Sequence, residues 1–236
     1  MVQESATDSA LATRLREVQA GVADAACAAS RRSEDLTLIV VTKFHPASLV
    51  ASLADLGVRD VGENRHQEAQ AKAEELADLD LHWHFIGQLQ TKKARQAARY
   101  ADSIHSIDRE RLVDALADPE FDPSTGRTID AFLQINLTDD PGRGGIAPEG
   151  LESLAERVLE TPSLRLRGVM AVAPLEEAAA AAFERLAGYS DRVRAIAPHA
   201  TGISAGMTHD YVEAIAAGAT HLRIGSAITG NRPEPR

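Results

Sequence analysis

One cysteine, Cys27, is all the thiol chemistry the 236-residue chain has. No internal disulfide can form, which leans towards a reducing compartment. In an alanine-rich helical stretch with no partner thiol, Cys27 reads as a packing residue. Aromatic residues make up only 4% of the chain, with a single tryptophan, so the core must be built from aliphatic side chains. The many alanines predict closely packed helices. Basic charge is short: 25 Lys and Arg stand against 35 Asp and Glu, a formal net charge of -10. This excludes a general nucleic-acid binder, although a local basic patch remains compatible with it. No apolar run is long enough to span a membrane. Residues 1–10 are polar and carry no apolar segment of the signal-peptide kind. The expectation is a cytoplasmic protein without a membrane partner.

Also missing are a proline- or glycine-rich linker and any low-complexity tract, so nothing divides the chain into two domains. Hydrophobic residues at 44% and charged residues at 25% are ordinary for a globular protein. What fills the sequence is an alternation of short apolar runs and helical patterns, the signature of βα units around a parallel sheet. A first helix is predicted from about Ser9 to Arg31, with Leu11, Leu15, Val18 and Val22 at helical spacing. The first strand, from Leu36 to Lys43, is apolar on both faces, as a covered parallel strand should be. Pro46 can open the next helix and Gly57 can stop it.

Further strands are predicted near Val58–Glu63, His82–Gly87, Ser103–Ile107, Ala131–Leu137, Leu166–Val172, Gly202–Ala205 and His221–Gly225. Asp108 and Thr208 are expected helix caps. Eight strands with interleaved helices predict a single (β/α)₈ barrel, a TIM barrel, with an extra N-terminal helix. The expected limits are a flexible N-terminus at 1–8, the barrel at 9–230 and a tail at 231–236. An open doubly wound sheet is the alternative. The absence of G-x-G-x-x-G after the first strand weighs against its dinucleotide-binding form.

Barrel sites lie at the C-terminal ends of the strands. Lys43 stands at the end of the first. It is either a lysine reaching out to solvent or one desolvated at the barrel mouth, whose neutral amine can form a Schiff base. The second strand ends in Gly62-Glu63-Asn64. The third carries His82 and His84 on one face. No carboxylate or cysteine set accompanies them, so hydrogen-bonded histidines are the reading and no metal is expected.

Ser204-Ala205-Gly206-Met207-Thr208 and Arg223-Ile224-Gly225-Ser226-Ala227 fall in the two loops that commonly hold phosphate in this fold. Small residues there expose backbone N–H groups to an anion; ordinary capping by Thr208 and Ser226 is the plainer alternative. Arg223 pairs with a carboxylate or faces a cofactor ring nitrogen. Lys92, Lys93, Arg95 and Arg99 form a basic helix, read as a solvated face. The Gly142-Arg143-Gly144-Gly145 loop is not a P-loop, because no Gly-Lys-Ser/Thr follows; it reads as a flexible connection. Asn136-Leu137-Thr138 matches a glycosylation sequon, which carries no meaning without a secretory signal.

Several segments together carry a resemblance. They are Val41-Thr42-Lys43-Phe44-His45-Pro46, Gly62-Glu63-Asn64 with Gln67-Glu68, and His84-Phe85-Ile86-Gly87-Gln88-Leu89-Gln90. His105-Ser106-Ile107-Asp108, Arg167-Gly168-Val169-Met170-Ala171, Ser204 to Thr208 and Arg223 to Ser226 complete the set. In this order and spacing the chain resembles the YggS/PROSC family of pyridoxal phosphate homeostasis proteins, related in fold to the N-terminal barrel of alanine racemase, from the first helix to about Gly230.

The resemblance implies pyridoxal 5′-phosphate (PLP) as cofactor, with Lys43 forming the internal aldimine. It implies that Ser204, Gly206, Thr208, Gly225 and Ser226 surround the phosphate, that Arg223 faces the pyridine nitrogen, and that Asn64 lies beside the cofactor. It further implies a monomeric barrel that buffers PLP or passes it to PLP-dependent apoenzymes, with no firmly assigned reaction. Three positions depart from the pattern: Lys92 where asparagine is frequent, Thr208 for a common serine, and Thr229 for phenylalanine.

Two enzymatic alternatives stand beside the carrier reading. An amino-acid racemase of the alanine racemase kind needs a second acid/base, a tyrosine supplied by a second domain. Only Tyr100, Tyr189 and Tyr211 exist here, none at a strand end. A PLP-independent Schiff-base aldolase would use Lys43 with the same phosphate loops.

Overall fold

The computed structural model describes residues 2–117, 127–140 and 142–231. Eight strands close into one barrel in chain order, every neighbouring pair parallel. They are β1 (Thr37–Val41), β2 (Asp60–Glu63), β3 (His82–Phe85), β4 (Ser103–Ile107), β5 (Ile129–Gln134), β6 (Leu164–Met170), β7 (Gly202–Ser204) and β8 (His221–Ile224). The open doubly wound sheet is thereby excluded, because β1 pairs with β8.

Nine helices accompany the strands among the described residues: α1 (Val2–Ala28), α2 (Ala47–Asp55), α3 (His66–Glu75), α4 (Ala94–Ala98), α5 (Glu110–Leu116), α6 (Leu151–Leu159), α7 (Ala179–Ile196), α8 (Tyr211–Ala216) and α9 (Ser226–Thr229). α1 is additional to the barrel repeat and begins earlier than the expected Ser9. Its apolar stripe starts only at Leu11, and the polar stretch before it continues the helix without that stripe. Leu11, Leu15 and Val22 are buried, and Arg14 and Arg31 anchor the helix to the end of the chain. Arg14 Nε donates to the Ile228 carbonyl at 2.7 Å; Arg31 donates to the carbonyls of Ile215 and Ala219. The tail expected at 231–236 lies outside the described residues after Asn231.

The core is aliphatic, as the shortage of aromatics requires. Val40, Val61, Ile104, Leu133, Val169, Leu222 and Ile224 are fully buried, and alanines such as Ala94, Ala97 and Ala98 let α4 sit close to the barrel. Burying such side chains contributes about 1.5–3 kcal/mol each. α2 starts after Pro46 and ends before Gly57, which takes a left-handed φ of 89°, as expected of the proline-first, glycine-last pattern.

Other local expectations are corrected. Asp108 does not cap α5, whose N-cap is Arg109; the Asp108 carboxylate pairs with the Arg109 guanidinium instead. Thr208 does not cap α8. The N-cap is Asp210, whose Oδ1 accepts the Met207 N–H at 2.5 Å. Cys27 is exposed, because it lies on the α1 face turned away from the barrel.

Candidate functional site

Strand register gathers the expected residues at one end of the barrel. Val41 is level with Gly62, and Val40 with Ile224. The chain beyond β1, which carries Lys43, therefore leaves the sheet between Asn64 and Gly225. An added Cβ at Gly225 would lie 3.3 Å from Val41 Cβ, so β1 and β8 approach closely there. Gly206 takes a φ of 92°, and a Cβ there would meet Ala214 Cβ at 2.8 Å. Its role is to turn the chain tightly against α8. The Arg223 N–H donates to the Gly206 carbonyl at 2.9 Å, which ties the two expected loops together.

Lys43 is exposed. The desolvation that the sequence suggested for it is not supplied by the fold itself; the side chain reaches into solvent, 5.9 Å from the Phe44 ring centre. The backbone beside it is what is fixed. Phe44 takes a left-handed φ of 70°, which is uncommon for a bulky residue and marks local strain. Its N–H donates to Glu68 Oε1 at 2.5 Å. Beneath it Lys72, 5% exposed, donates to the Thr42 carbonyl at 2.9 Å, to Glu63 Oε1 at 2.6 Å and to Glu68 Oε1 at 2.9 Å. Thr42 Oγ1 donates to Glu63 Oε1 at 2.7 Å. The ends of β1 and β2 and the start of α3 are thus locked around one buried ammonium.

Burial pushes the Glu63 carboxyl above its ordinary range, against the pull of Lys72. Burial, followed by the Lys72 charge, pushes His45 below its own. Two buried oxygens on β2's end, Glu63 Oε2 and Asn64 Oδ1, have no hydrogen-bond partner among the described residues. Asn64 is hemmed in by Gly87: a Cβ at that position would fall 2.2 Å from the Asn64 carbonyl.

On the other side of the mouth, Ser204 and Arg223 meet. Arg223 Nη1 donates to Ser204 Oγ at 2.7 Å, and Nη2 donates to the Ala171 carbonyl at 2.9 Å. Both residues are buried. The carboxylate partner offered as one reading of Arg223 is not what binds it: both contacts are neutral oxygens. Burial lowers the guanidinium to about 10, which leaves it charged at neutral pH. The Ser204 hydroxyl is therefore engaged with Arg223 and with His105 Nδ1, 2.8 Å away, inside the barrel. Thr208 and Gly225 are half-buried at the rim and Ser226 is exposed. Thr229 is buried and donates to the Gly225 carbonyl at 3.2 Å, so the smaller residue there has its hydroxyl satisfied.

His82 and His84 both approach Asp60, at 3.4 and 2.9 Å from its Oδ1. His84 Nδ1 lies 3.0 Å from His105 Nε2, the hydrogen-bonded role expected of it. Among the described residues no group of three or more His, Cys, Asp or Glu is arranged to hold a metal ion. Lys92, Arg95 and Arg99 are exposed, as a solvated face requires, and Lys93 lines a groove with Asn64, Arg65, His66 and Gln88. Between β5 and the glycine loop the chain is tied by the Asn136 side chain. Asn136 Nδ2 donates to the Asp140 carbonyl at 2.8 Å and Asn136 Oδ1 accepts the Thr138 N–H at 2.9 Å. Among the described residues no helix is long and apolar enough to cross a membrane.

Residues 22–233 match the family described as alanine racemase, N-terminal domain. The chain is 38% identical to the pyridoxal phosphate homeostasis protein of Mycobacterium tuberculosis, with 95% of this chain and 94% of the relative covered. It is 40% identical to that of Pseudomonas aeruginosa, with 95% and 96% covered. The structure of PipY from Synechococcus elongatus, solved with PLP bound, superposes with a TM-score of 0.80 at 34% identity and covers 93% of this chain and all of that one. The chain belongs to the family of pyridoxal phosphate homeostasis proteins, built on the barrel of the alanine racemase N-terminal domain.

Proposed function

We propose that this chain binds PLP covalently through Lys43 at the barrel mouth and serves PLP homeostasis, holding the cofactor and releasing it to apoenzymes rather than turning over a substrate. The observation that carries the reading is the register that brings Lys43, Asn64, Arg223 and Gly225 to one end of the barrel. The residues fit the group. Asn64 Oδ1 is a buried acceptor with no partner among the described residues, and Arg223 is a buried cation bonded only to neutral oxygens in the contacts above. Relatives that match nearly end to end carry the homeostasis name, and PipY was solved with PLP.

Bound there, PLP supplies an aldehyde that condenses reversibly with an amine, and a ring that accepts electrons. Lys43 is the amine. Its exposure lets the Nζ atom be reached from solvent, and the Phe44–Glu68–Lys72 lock fixes the backbone that carries it. Arg223 would face the ring nitrogen of bound PLP as a donor only. Adjacent positive charges repel, so beside this guanidinium the nitrogen would stay unprotonated and the ring would be a weak electron sink, which suits storage more than racemisation. Thr208 and Ser226 offer hydroxyls, and the loops at Gly206 and Gly225 offer backbone N–H groups, to the phosphate.

The tyrosines a racemase would draw on are placed elsewhere. Tyr100 Oη lies 3.4 Å from His66 Nδ1, Tyr189 lies beneath the Arg192 guanidinium, and the Tyr211 hydroxyl packs against Gly21 of α1. We place the protein in the cytoplasm, where an exposed Cys27 stays reduced, and read it as a monomer.

The test is the visible spectrum of the purified protein before and after borohydride, beside Lys43→Ala. A yellow band that borohydride bleaches, absent in the variant, is the expected result. A protein that stays colourless with added PLP overturns the reading and brings the Schiff-base aldolase forward.

A further inference from the structure

A single file of polar groups crosses the barrel interior. It starts at Asp60, the first residue of β2 and therefore at the end of the barrel opposite Lys43. Asp60 Oδ1 lies 2.9 Å from His84 Nε2; His84 Nδ1 lies 3.0 Å from His105 Nε2; His105 Nδ1 lies 2.8 Å from Ser204 Oγ; and Ser204 Oγ accepts from Arg223 Nη1 at 2.7 Å. His84, His105, Ser204 and Arg223 are all buried. The homeostasis reading leaves Asp60, His84 and His105 without a task.

The two ends of the file have fixed roles. A guanidinium only donates, and a carboxylate only accepts. With both rings neutral, one order of protons uses every contact. Arg223 donates to Ser204, the Ser204 hydroxyl donates to His105 Nδ1, the His105 Nε2 proton goes to His84 Nδ1, and the His84 Nε2 proton goes to Asp60. Burial favours a neutral ring at His105. Burial first, then the charges facing it from His84, His221 and Arg223, hold His105 well below its ordinary range. Its ring also stacks on Phe132 with centres 4.3 Å apart. At the far end, burial pushes Asp60 up, but His84 and His82 outweigh it and keep the carboxyl below its ordinary range.

We infer that Asp60 is a positioning residue for Arg223: through the ordered protons of His84, His105 and Ser204, it fixes from the opposite end of the barrel the guanidinium that meets the ligand at the mouth. Without an acceptor at position 60, the order has reason to reverse. His84 then takes its proton at Nδ1, His105 must take its own at Nδ1, and the Ser204 hydroxyl proton loses its buried acceptor. A chain of this kind holds its order only while every member is satisfied.

This inference rests on the homeostasis reading only for what Arg223 meets; the file itself is testable without PLP. The experiment is ¹⁵N NMR of histidine and arginine side chains in the full chain without added PLP, for wild type, Asp60→Leu and Asp60→Asn. In the wild type, His84 and His105 should both carry the proton on Nε2, and Arg223 should show separate Nη signals because both are held. Asp60→Leu should move both histidines to the Nδ1 form and shift the Arg223 Nη1 signal, because the Ser204 oxygen then accepts from His105 as well as from Arg223. Asp60→Asn, which keeps an acceptor oxygen, should restore the wild-type pattern, as a merely space-filling role would not require.

PLP affinity should then fall about tenfold in the leucine variant, because a Ser204 oxygen shared with His105 holds Arg223 less firmly, and stay within about threefold of wild type in the asparagine variant. Histidines protonated on Nδ1 in the wild type, a measurement that does not depend on the leucine variant folding, would overturn the inference. So would an Asp60→Leu protein with unchanged histidine and arginine signals. Failure of the wild type to take up PLP would count against the proposed function alone.

Discussion

The Arg223 guanidinium rests on the Ser204 hydroxyl at 2.7 Å, and both residues are buried. A positive charge in the barrel wall is thus held by a neutral partner that is itself held by His105.

Ser204→Ala should test that support. It removes the acceptor of Arg223 and the group facing His105 Nδ1 together, leaving two buried polar atoms unpaired. The expected loss is about 1–3 kcal/mol, read from the urea midpoint at constant m-value. No loss would mean that the pair has been replaced by other contacts.

Lys72→Met should be more damaging. The ammonium is enclosed by Glu63, Glu68 and the Thr42 carbonyl, and removing one partner from a buried ionic group costs about 3–5 kcal/mol. Chemical denaturation would show it. Because the same cluster holds the Phe44 backbone, PLP uptake by whatever protein remains folded should also weaken. A variant as stable as wild type would contradict the burial described for this cluster.

Acid should loosen the barrel through its histidines. Burial, then the neighbouring His84, holds His221 at about 4, against 6.5 in an unfolded chain. His105 is also lowered. Between pH 6.5 and 4 the unfolded chain takes up protons that the folded chain refuses, so stability is full above pH 6.5 and declines as pH falls. His221 alone amounts to about 3 kcal/mol by pH 4. Unfolding midpoints at pH 7.5, 6 and 5 should fall in that order, and His221→Phe should flatten the slope. Equal midpoints at all three would show that the rings are not buried neutral.

The monomer reading predicts one species of about the chain mass, 25.2 kDa, in light scattering; a stable dimer would overturn it.

The strands and their closure were legible because each is a short apolar run bounded by helical periodicity. Boundaries differed by a few residues where an apolar residue continued past the end of the pairing, as at Leu137 after β5. The mouth residues were legible from their place at strand ends. What stayed hidden is long-range. Nothing in a ten-residue window tells that Lys72 on the face of α3 turns inward to the Thr42 carbonyl, or that His84 will meet His105. The caps failed for a related reason: Asp108 and Asp210 both precede a helix, and the carboxylate's choice between a backbone N–H and a nearby guanidinium is decided by the neighbours. The exposure of Lys43 was likewise undecidable, since it depends on how far the loop beyond β1 stands above the rim.

The pairing of β1 with β8 has a consequence for synthesis. Lys43 lies early in the chain, and Arg223, Gly225 and Ser226 lie almost at its end. The emerging polypeptide carries the amine proposed to hold PLP long before the opposite wall of the mouth exists. Half a barrel would present an unpaired β1 edge and no phosphate loops. Holding PLP in the manner proposed is therefore a property of the finished ring: it appears in one step as the last strand docks, and a chain truncated before β8 should not hold it in this way.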